Sequence, residues 1–438
     1  MLRIPFVRRA RRAGRLVGTL VPAVAWGCAS AQSRPGNDAD LVERARAIHA
    51  RVLTLDTHVD INPANFTAQH PNYTDRLATQ VSLPKMVEGG LDAVFFSIYV
   101  GQGEQTTDGY ARALAQDIEK FDAVHRLAEN LAPDKIAIAY SAADVTRIAA
   151  SGKKVALMGV ENGYGLGTEV ANVKRFYDLG ARYLSLAHNG HSQLSDSNTG
   201  ERDNTWQWNG LSPLGRQVIE EMNRLGIMVD ISHPSKVSIM QTFALSKAPV
   251  IASHSAVRAL CDVSRNLDDE QLKALALNGG VIQMVAFNSY IKKVPPDSPA
   301  RTQALAALRA EYGVPAGGGG GAAIARLSPE QQTAFSGRMA ALNRQFPPPP
   351  RATVRDFVDH IDYAVKLIGL DHVGISSDFD GGGGVDGFSD ATESPNVTIE
   401  LVRRGYTEEQ IGKLWSGNLL RVMSEAERVA ATLQGTRS

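Results

Sequence analysis

The sequence predicts an α/β fold, a (β/α)8 barrel of the TIM type, and three observations support this. Short apolar runs rich in valine, isoleucine and phenylalanine recur eight times along the chain. Segments of helical periodicity separate most of them, for example LSPLGRQVIEEMNRLG and DDEQLKALALNGG. With 438 residues, 43% of them hydrophobic, the chain is long enough for eight such repeats around one core. The strands are predicted at residues 52–55, 92–100, 154–160, 181–187, 226–232, 249–254, 280–287 and 372–378.

A doubly wound open sheet is the alternative architecture. No glycine-rich phosphate fingerprint follows the first predicted strand, so a dinucleotide-binding fold has little support. We therefore predict a single barrel domain over residues 40–438, which begins with a helix at about residues 40–51.

One segment, residues 292–351, does not fit the repeat and is predicted to be an insertion before the last strand. It contains PPDSP, five glycines at 317–321 and four prolines at 347–350. We favour a surface excursion that is partly disordered at the glycines. A lid or a subunit contact is the alternative.

The first 31 residues have the composition of an export signal peptide. They contain six arginines and no acidic residue, then the apolar stretch LVGTLVPAVAWGCA and the small residues ASA. This predicts a periplasmic or secreted protein, and the apolar stretch is too short to span a bilayer comfortably. The sequence leaves open whether export follows the general or the twin-arginine route. Acylation of Cys28 is a less favoured alternative, because the preceding AWG fits a lipoprotein signal poorly.

The charge of the mature chain excludes some partners. Without the signal, 40 basic side chains face 46 acidic ones, a net charge of −6. This argues against nucleic acid or an anionic membrane surface as a partner. Cys261 is then the only cysteine, so no internal disulfide can form, and we predict that it is a small buried hydrophobe.

Polar side chains stand at the ends of six predicted strands. Because the active site of such a barrel is built where its parallel strands finish, we expect these side chains to converge. Four of the ten histidines occupy these few positions, which favours a common site over chance. In LDTHVD, alternation along the strand would direct the histidine and the aspartate to one side. The residues are His58 and Asp60, Glu161, His188, His233, His254 and Asp378.

Imidazoles and carboxylates together suit a borderline divalent cation, zinc before manganese, cobalt or iron. Three imidazoles and three carboxylates are too many ligands for one catalytic zinc ion. They suit two ions that share a carboxylate, and such a pair supports hydrolysis. His188 and His191 both lie in a polar loop, and His188 is preferred. Asp378 is preferred to Asp380 because it is nearer its strand. The other histidines in helix-like or loop segments are expected to be structural or surface residues: His49, His70, His125 and His360.

The motifs DTHVD, GVENG, YLSLAH, MVDISH, SHSAVRALCDVSRN and GISSDFDG, in this order, resemble those of the zinc-dependent membrane dipeptidases, also called renal dipeptidases. The similarity runs from about residue 52 to the C-terminal ELVRRGYTEEQIGKLWSGNLLRVM. It implies a (β/α)8 metallo-dependent hydrolase fold, two zinc ions and cleavage of dipeptides by a hydroxide that bridges the metals.

The resemblance also implies a role for each residue. His58, Asp60 and Asp378 would hold one zinc, His233 and His254 the other, and Glu161 would bridge them. His188 would contact the substrate and stabilise the tetrahedral intermediate, and Asp378 would carry a proton to the leaving amine. Arg265 would bind the terminal carboxylate of the substrate, beside Tyr290.

Alternative functions remain at this stage. A binuclear amidohydrolase that acts on another amide, such as an acylated amino acid, would share the metal site but differ in its need of Arg265. A barrel that binds zinc or peptide without turnover would be expected to lack a ligand, and none is missing. A scaffold role does not explain seven polar groups at strand ends. The sequence is compatible with either a monomer or a homodimer.

Overall fold

The structure is a computed structural model that describes residues 38–315, 323–324 and 327–435. The predicted signal peptide at residues 1–31, with Cys28, and the five-glycine run at 317–321 lie outside the described residues.

The architecture is a nearly closed parallel barrel surrounded by helices, which confirms the predicted (β/α)8 fold. Eight strands follow one another in the order β1-β2-β4-β5-β6-β7-β8-β9, and β3 pairs with β4 outside this path. The amide of Asp60 donates to the carbonyl of Phe379 at 2.9 Å, which joins the chain after the last strand to the first strand. The strands are β1 Leu55–Asp60, β2 Ala93–Tyr99, β3 Ile136–Ile138, β4 Lys154–Glu161, β5 Ala181–Ser185, β6 Met228–Asp230, β7 Ile251–Ser255, β8 Val281–Val285 and β9 Val373–Ser376.

Helices follow most of the strands and cover the outside of the barrel. Serine, threonine or aspartate side chains cap the first turn of many of them, as at Ser212 and Asp268. None of the described helices is both long and apolar enough to cross a bilayer. The helices are α1 Asp38–His49, α2 Leu83–Glu88, α3 Thr107–Arg126, α4 Ala142–Ala150, α5 Ala171–Leu179, α6 Pro213–Leu225, α7 Lys236–Leu245, α8 Asp269–Leu277, α9 Asn288–Ile291, α10 Pro299–Glu311, α11 Pro329–Gln345, α12 Val354–Ile368, α13 Ser394–Arg403, α14 Glu408–Gly412 and α15 Asn418–Gly435.

The apolar core lies on both sides of the strands. Along β4, Val155 and Leu157 belong to one buried cluster, while Ala156 and Met158 between them belong to another. Because successive side chains of a strand point to opposite faces, the first cluster fills the barrel and the second lies beneath the surrounding helices. Helix α15 contributes to the first cluster and so packs against the interior of the barrel.

Seven of the eight predicted strands overlap the observed ones closely, but the predicted bounds of the first strand, 52–55, were wrong. Residues 52–54 are not a strand, and β1 is Leu55–Asp60, so the polar residues lie within it and not after it. Thr54 instead bonds to Gly90 and Asp92 in the loop before β2. Aspartate is depleted in strands, and here burial and hydrogen bonding override that preference. Strand β3 was not predicted, because three residues carry little periodic signal.

The described residues of the predicted insertion include helices α10 and α11. They share a small core of Leu308, Val314, Phe335 and Leu342. The guanidinium of Arg301 donates to Asn343 and to the carbonyl of Phe346, which ties the first helix to the end of the second. The described part of this segment is therefore a helical hairpin with apolar packing of its own.

Candidate metal centre

Six of the predicted residues converge at the carboxyl ends of the strands. His58 and Asp60 lie in β1, Glu161 ends β4, and His254 lies in β7. His233 follows β6 and Asp378 follows β9. The register of strand pairing shifts between residues 56 and 59 in β1 and between residues 252 and 255 in β7. Each of the two strand histidines, His58 and His254, therefore lies within an irregular part of its strand. Such irregularities re-aim side chains at active sites.

Glu161 is the centre of the cluster. Its Oε1 lies 3.0 Å from Nε2 of His233 and 3.3 Å from Nε2 of His254. Its Oε2 lies 3.3 Å from Nε2 of His58. One carboxylate therefore faces histidines on both sides, which is the arrangement that a bridging ligand requires.

His58 also faces two further carboxylates. Its Nε2 lies 3.6 Å from Asp60 Oδ2 and 4.0 Å from Asp378 Oδ1. The backbone of Asp378 is left-handed, with φ of 57°. Gly381 packs against both aspartates so closely that a Cβ there would overlap their carboxylates. The turn after β9 therefore contributes the carboxylate of Asp378 and limits the space available to the carboxylate of Asp60.

A tyrosine orients the ring of His58. The Tyr183 hydroxyl lies 2.9 Å from Nδ1 of His58 and donates to the carbonyl of Thr57 at 3.1 Å. Since that carbonyl can only accept, Nδ1 of His58 donates to the hydroxyl, which leaves Nε2 as the nitrogen that would bind metal. This Nε2 is buried and has no hydrogen-bond partner among the described residues. The ring of Tyr183 occupies the space that a side chain at Gly159 would fill.

A serine and an aspartate stand behind His254. Ser253 Oγ lies 2.8 Å from Nδ1 of His254 and donates to Asp230 Oδ2 at 2.6 Å. Asp230 is fully buried, and its other oxygen accepts from the amides of Ser232 and Ser253 at 3.1 and 2.9 Å. Burial raises the pKa of Asp230, and the hydrogen bonds from Ser253 oppose that rise.

His233 is held through its backbone. Its carbonyl accepts from the amide and from the side chain of Asn198, at 2.9 and 2.8 Å. Its Nε2 lies 3.0 Å from Nε2 of His254, and its Nδ1 is buried without a hydrogen-bond partner in the described structure. The two Nε2 atoms and Glu161 Oε1 therefore surround one small space.

The electrostatics of the cluster follow from burial and from the mixture of charges. Burial alone raises the pKa of Glu161, but the neighbouring histidines, His58 first, outweigh it and hold that pKa well below its usual range. Burial lowers the pKa of His233 and of His254 well below the ordinary value. Burial also raises the pKa of Asp378 well above its usual range, although His58 opposes the shift. Burial opposes protonation of His58, but Tyr183 and Glu161 outweigh it and raise the pKa of His58 well above the usual value. Neutral imidazoles at His233 and His254 beside the Glu161 carboxylate are the protonation states that metal ligation needs.

The site opens to solvent on one side. The side chains of Asp60, Asp378 and His188 are 11–15% exposed, while those of His58 and His254 are at most 2% exposed. His188 Nε2 lies 3.6 Å from Glu161 Oε1. Its ring packs against Tyr99, with centroids 4.7 Å apart, and burial lowers its pKa. His188 therefore stands where a substrate would enter.

Arg265 and Tyr290 lie next to the cluster. The Arg265 guanidinium is buried and donates to the carbonyls of Ser232 and His254. Its carbon lies 5.2 Å from the centre of the Tyr290 ring. Its Nε is buried and has no hydrogen-bond partner among the described residues. The arginine is therefore close to the site, but backbone carbonyls already hold two of its nitrogens.

The residues that were not favoured lie outside the cluster. His191 Nδ1 lies 3.1 Å from Asp196 and accepts from the amide of Ser197. Asp380 accepts from the amides of residues 80 and 81. Cys261 is buried and not in a disulfide. His49, His125 and His360, in helices α1, α3 and α12, bond to residues distant in the sequence, while His70 bonds to Asp75 within its own loop.

These residues fit a pair of divalent metal ions. Three groups bring potential ligand atoms within 4.8 Å of one another. Nε2 of His58 faces the cluster and is buried without a hydrogen-bond partner among the described residues, as a metal ligand would be, and the donor set of imidazoles with carboxylates suits zinc. The sequence did not single out Tyr183, Ser253 or Asp230, although all three occur in the quoted motifs, YLSLAH, SHSAVRALCDVSRN and MVDISH. The groups are His58, Glu161 and His254; Glu161, His188 and His233; and His58, Asp60 and Asp378.

Comparison with known proteins decides the family. Residues 42–437 match the family described as membrane dipeptidase (Peptidase family M19). The chain belongs to the membrane dipeptidase family. Within this family the chain is similar to two fungal proteins. Dipeptidase tcpJ of Claviceps purpurea is 32% identical over 83% of this chain and 73% of that protein. Dipeptidase aclJ of Aspergillus oryzae is 30% identical over 85% of this chain and 75% of that protein.

A solved structure gives the same result. The probable dipeptidase PvdM of Pseudomonas aeruginosa is 34% identical, with a TM-score of 0.74, over 90% of this chain and all of that one. Membership of the membrane dipeptidase family makes this chain a hydrolase, a metallopeptidase that acts on dipeptides.

Proposed function

We propose that the protein is a zinc-dependent dipeptidase of the membrane dipeptidase type, which cleaves the peptide bond with a hydroxide held between two zinc ions. The observation that carries this proposal is Glu161, whose two oxygens face histidines on opposite sides at 3.0–3.3 Å. His58, Asp60 and Asp378 would hold one ion, His233 and His254 the other, and Glu161 both. Such a pair supplies a nucleophilic hydroxide at neutral pH and polarises the scissile carbonyl.

The chain's own groups provide the proton transfer and charge stabilisation. His188 stands on the solvent side of Glu161, where its imidazole can donate to the oxyanion that develops on the substrate. Asp378 is partly exposed, and burial raises the pKa of its carboxyl well above the ordinary value. That direction suits a group that accepts a proton from the nucleophile and delivers it to the leaving amine.

Arg265 would define the length of the substrate. A guanidinium can bind a terminal carboxylate through charge-assisted hydrogen bonds, and the Nε of Arg265 has no hydrogen-bond partner among the described residues. The carbonyls of Ser232 and His254 fix the guanidinium beside the cluster. A substrate two residues long would then place its peptide bond at Glu161 and its carboxylate at Arg265 and Tyr290.

We further propose that the mature protein is exported to the periplasm or the medium, on the basis of residues 1–31. A tag at the C-terminus and fractionation of cells would test this location. Retention of the full-length chain inside the cell would contradict it.

The function is tested with purified mature protein. Bound metal per chain is measured by elemental analysis, and release of amino acids is assayed on L-Xaa-L-Xaa and L-Xaa-D-Xaa dipeptides. We expect two zinc ions per chain and cleavage that a chelator abolishes. Zinc binding with cleavage of acylated amino acids but not of dipeptides would contradict the proposed substrate, and a chain without bound metal would contradict the mechanism.

A further inference from the structure

We propose that Asp230 and Ser253 are positioning residues that fix the ring proton of His254 on Nδ1 and so keep Nε2 ready to bind metal. The inference rests on the proposed function, because His254 must be a metal ligand for this proton to matter. Neither residue belongs to the groups of potential metal ligands. Ser253 contacts the back of the His254 ring, and Asp230 contacts Ser253.

The direction of the hydrogen bonds follows from counting donors. An ionised carboxylate can only accept, so the short contact of 2.6 Å between Ser253 Oγ and Asp230 Oδ2 uses the one proton of the serine. Ser253 Oγ then has only lone pairs left for Nδ1 of His254 at 2.8 Å and for Ser232 Oγ at 3.2 Å. The Ser232 hydroxyl can donate there, because it accepts from the His254 amide on its other side. Nδ1 must therefore donate.

The same logic holds on the other side of the centre. His58 Nδ1 donates to Tyr183, whose proton is used by the carbonyl of Thr57. Nδ1 of each of these two histidines thus contacts a hydroxyl oxygen, and that hydroxyl donates its own proton to a group that can only accept. No such support reaches His233, since its Nδ1 has no partner in the described part of the chain. The two supported imidazoles face opposite oxygens of Glu161.

Asp230 determines the direction of the hydrogen bonds that run from its carboxylate through Ser253 to His254. Asp230→Asn keeps the size of the side chain, and the amides of Ser232 and Ser253 would hold its carbonyl oxygen where Oδ1 now lies. Its amide nitrogen would then donate to Ser253 Oγ and release the serine proton for His254 Nδ1. The imidazole proton would move to Nε2, the atom that has to bind metal.

The test compares zinc affinity in three variants by competition with a chromophoric chelator. We expect about a 100-fold loss for Asp230→Asn and about a 10-fold loss for Ser253→Ala, which removes the acceptor but does not reverse it. Ser376→Ala is the matched control, because it deletes another fully buried strand hydroxyl, one with no hydrogen-bond partner within the described ranges of the chain. Its affinity should equal that of the wild type. Equal affinity in Asp230→Asn and the wild type would overturn the proposal.

A second readout separates this proposal from the metal site. In metal-free protein labelled with 15N-histidine, the tautomer of His254 is read from its nitrogen shifts, assigned by their absence in His254→Gln. We expect the proton on Nδ1 in the wild type and on Nε2 in Asp230→Asn. A proton on Nε2 in the wild type overturns the proposal. A wild type that binds no zinc contradicts the proposed function instead. If Asp230→Asn does not fold, Ser253→Ala provides the same test, because the proton of His254 should then no longer favour Nδ1.

Discussion

Glu161 Oε1 lies 3.0 Å from Nε2 of His233, although β5 separates the strands that carry the two residues. The carboxylate of Glu161 therefore contacts histidines of both proposed metal positions. Its loss should therefore affect both metal positions at once.

Glu161→Gln is expected to reduce bound zinc below two per chain and to lower kcat/KM for a dipeptide by more than the about 100-fold typical of residues that only support metal ligands. The amide keeps the size of the side chain but removes the charge and one acceptor. Elemental analysis and dipeptide kinetics measure the effect. Glu400→Gln, at a buried glutamate paired with Arg403 and Arg404, is the control. Full metal loading in Glu161→Gln would refute a bridging role.

Arg265→Met should leave zinc content near that of the wild type and lower kcat/KM for dipeptides by about 10- to 100-fold, mainly through KM. This is the loss expected when a charge-assisted hydrogen bond to the substrate is removed. Arg258→Met, at an arginine paired with Glu201 and Asp262, controls for the loss of an arginine from the same segment. Unaltered kinetics in Arg265→Met would exclude carboxylate recognition by this residue.

Gly381→Ala should lower metal content and activity together, because the added methyl group would overlap the carboxylates of Asp60 and Asp378. Gly337→Ala is the control, since a Cβ in that part of α11 meets nothing within 4 Å. Zinc affinity and thermal unfolding separate a local effect from a global one. A fully loaded and active Gly381→Ala would show that the turn can move away.

Removal of zinc should lower the melting temperature and abolish turnover, because the carboxyl groups of Asp60, Glu161 and Asp378 then lose the positive charge of the metal ions. Zinc at about 100 times its Kd adds about 2.7 kcal/mol of stability for each site. Calorimetry with chelator and with increasing zinc measures this. A melting temperature that does not depend on zinc concentration would contradict a specific site in the folded state.

Asp117 should make stability depend on pH. Its carboxyl is buried in α3 without a hydrogen-bond partner in the described structure, and burial raises its pKa well above the ordinary value, against a smaller effect of Lys120. Because the folded-state pKa exceeds the unfolded one, its contribution to stability is full below about pH 4 and falls as the pH rises through the folded-state pKa.

Asp117→Asn should therefore melt at the same temperature as the wild type near pH 4 and at a progressively higher temperature as the pH rises toward about 9. Calorimetry of both proteins across this range measures the difference. Glu119→Gln, at an exposed position of the same helix, should show no such trend. A constant difference between Asp117→Asn and the wild type would mean that the carboxyl does not titrate in this range.

The sequence predicted the barrel and the convergence of His58, Glu161 and His254 because hydrophobic runs mark strands and parallel strands end on one side. It could not give the register shifts that re-aim the two strand histidines, since these depend on pairing between distant segments. Tyr183 looked like an ordinary core aromatic within an apolar run. Its contact with His58 is visible only once β5 and β1 are placed across the barrel from each other.

The ring of Tyr183 lies where any side chain at Gly159 would be. The two positions are therefore not free to drift separately during evolution. A larger residue at 159 would require a smaller one at 183, which would in turn remove the hydroxyl behind His58. Among family members, glycine at the first position should accompany tyrosine at the second, and lineages that have lost the pair should show another donor or acceptor behind the same histidine.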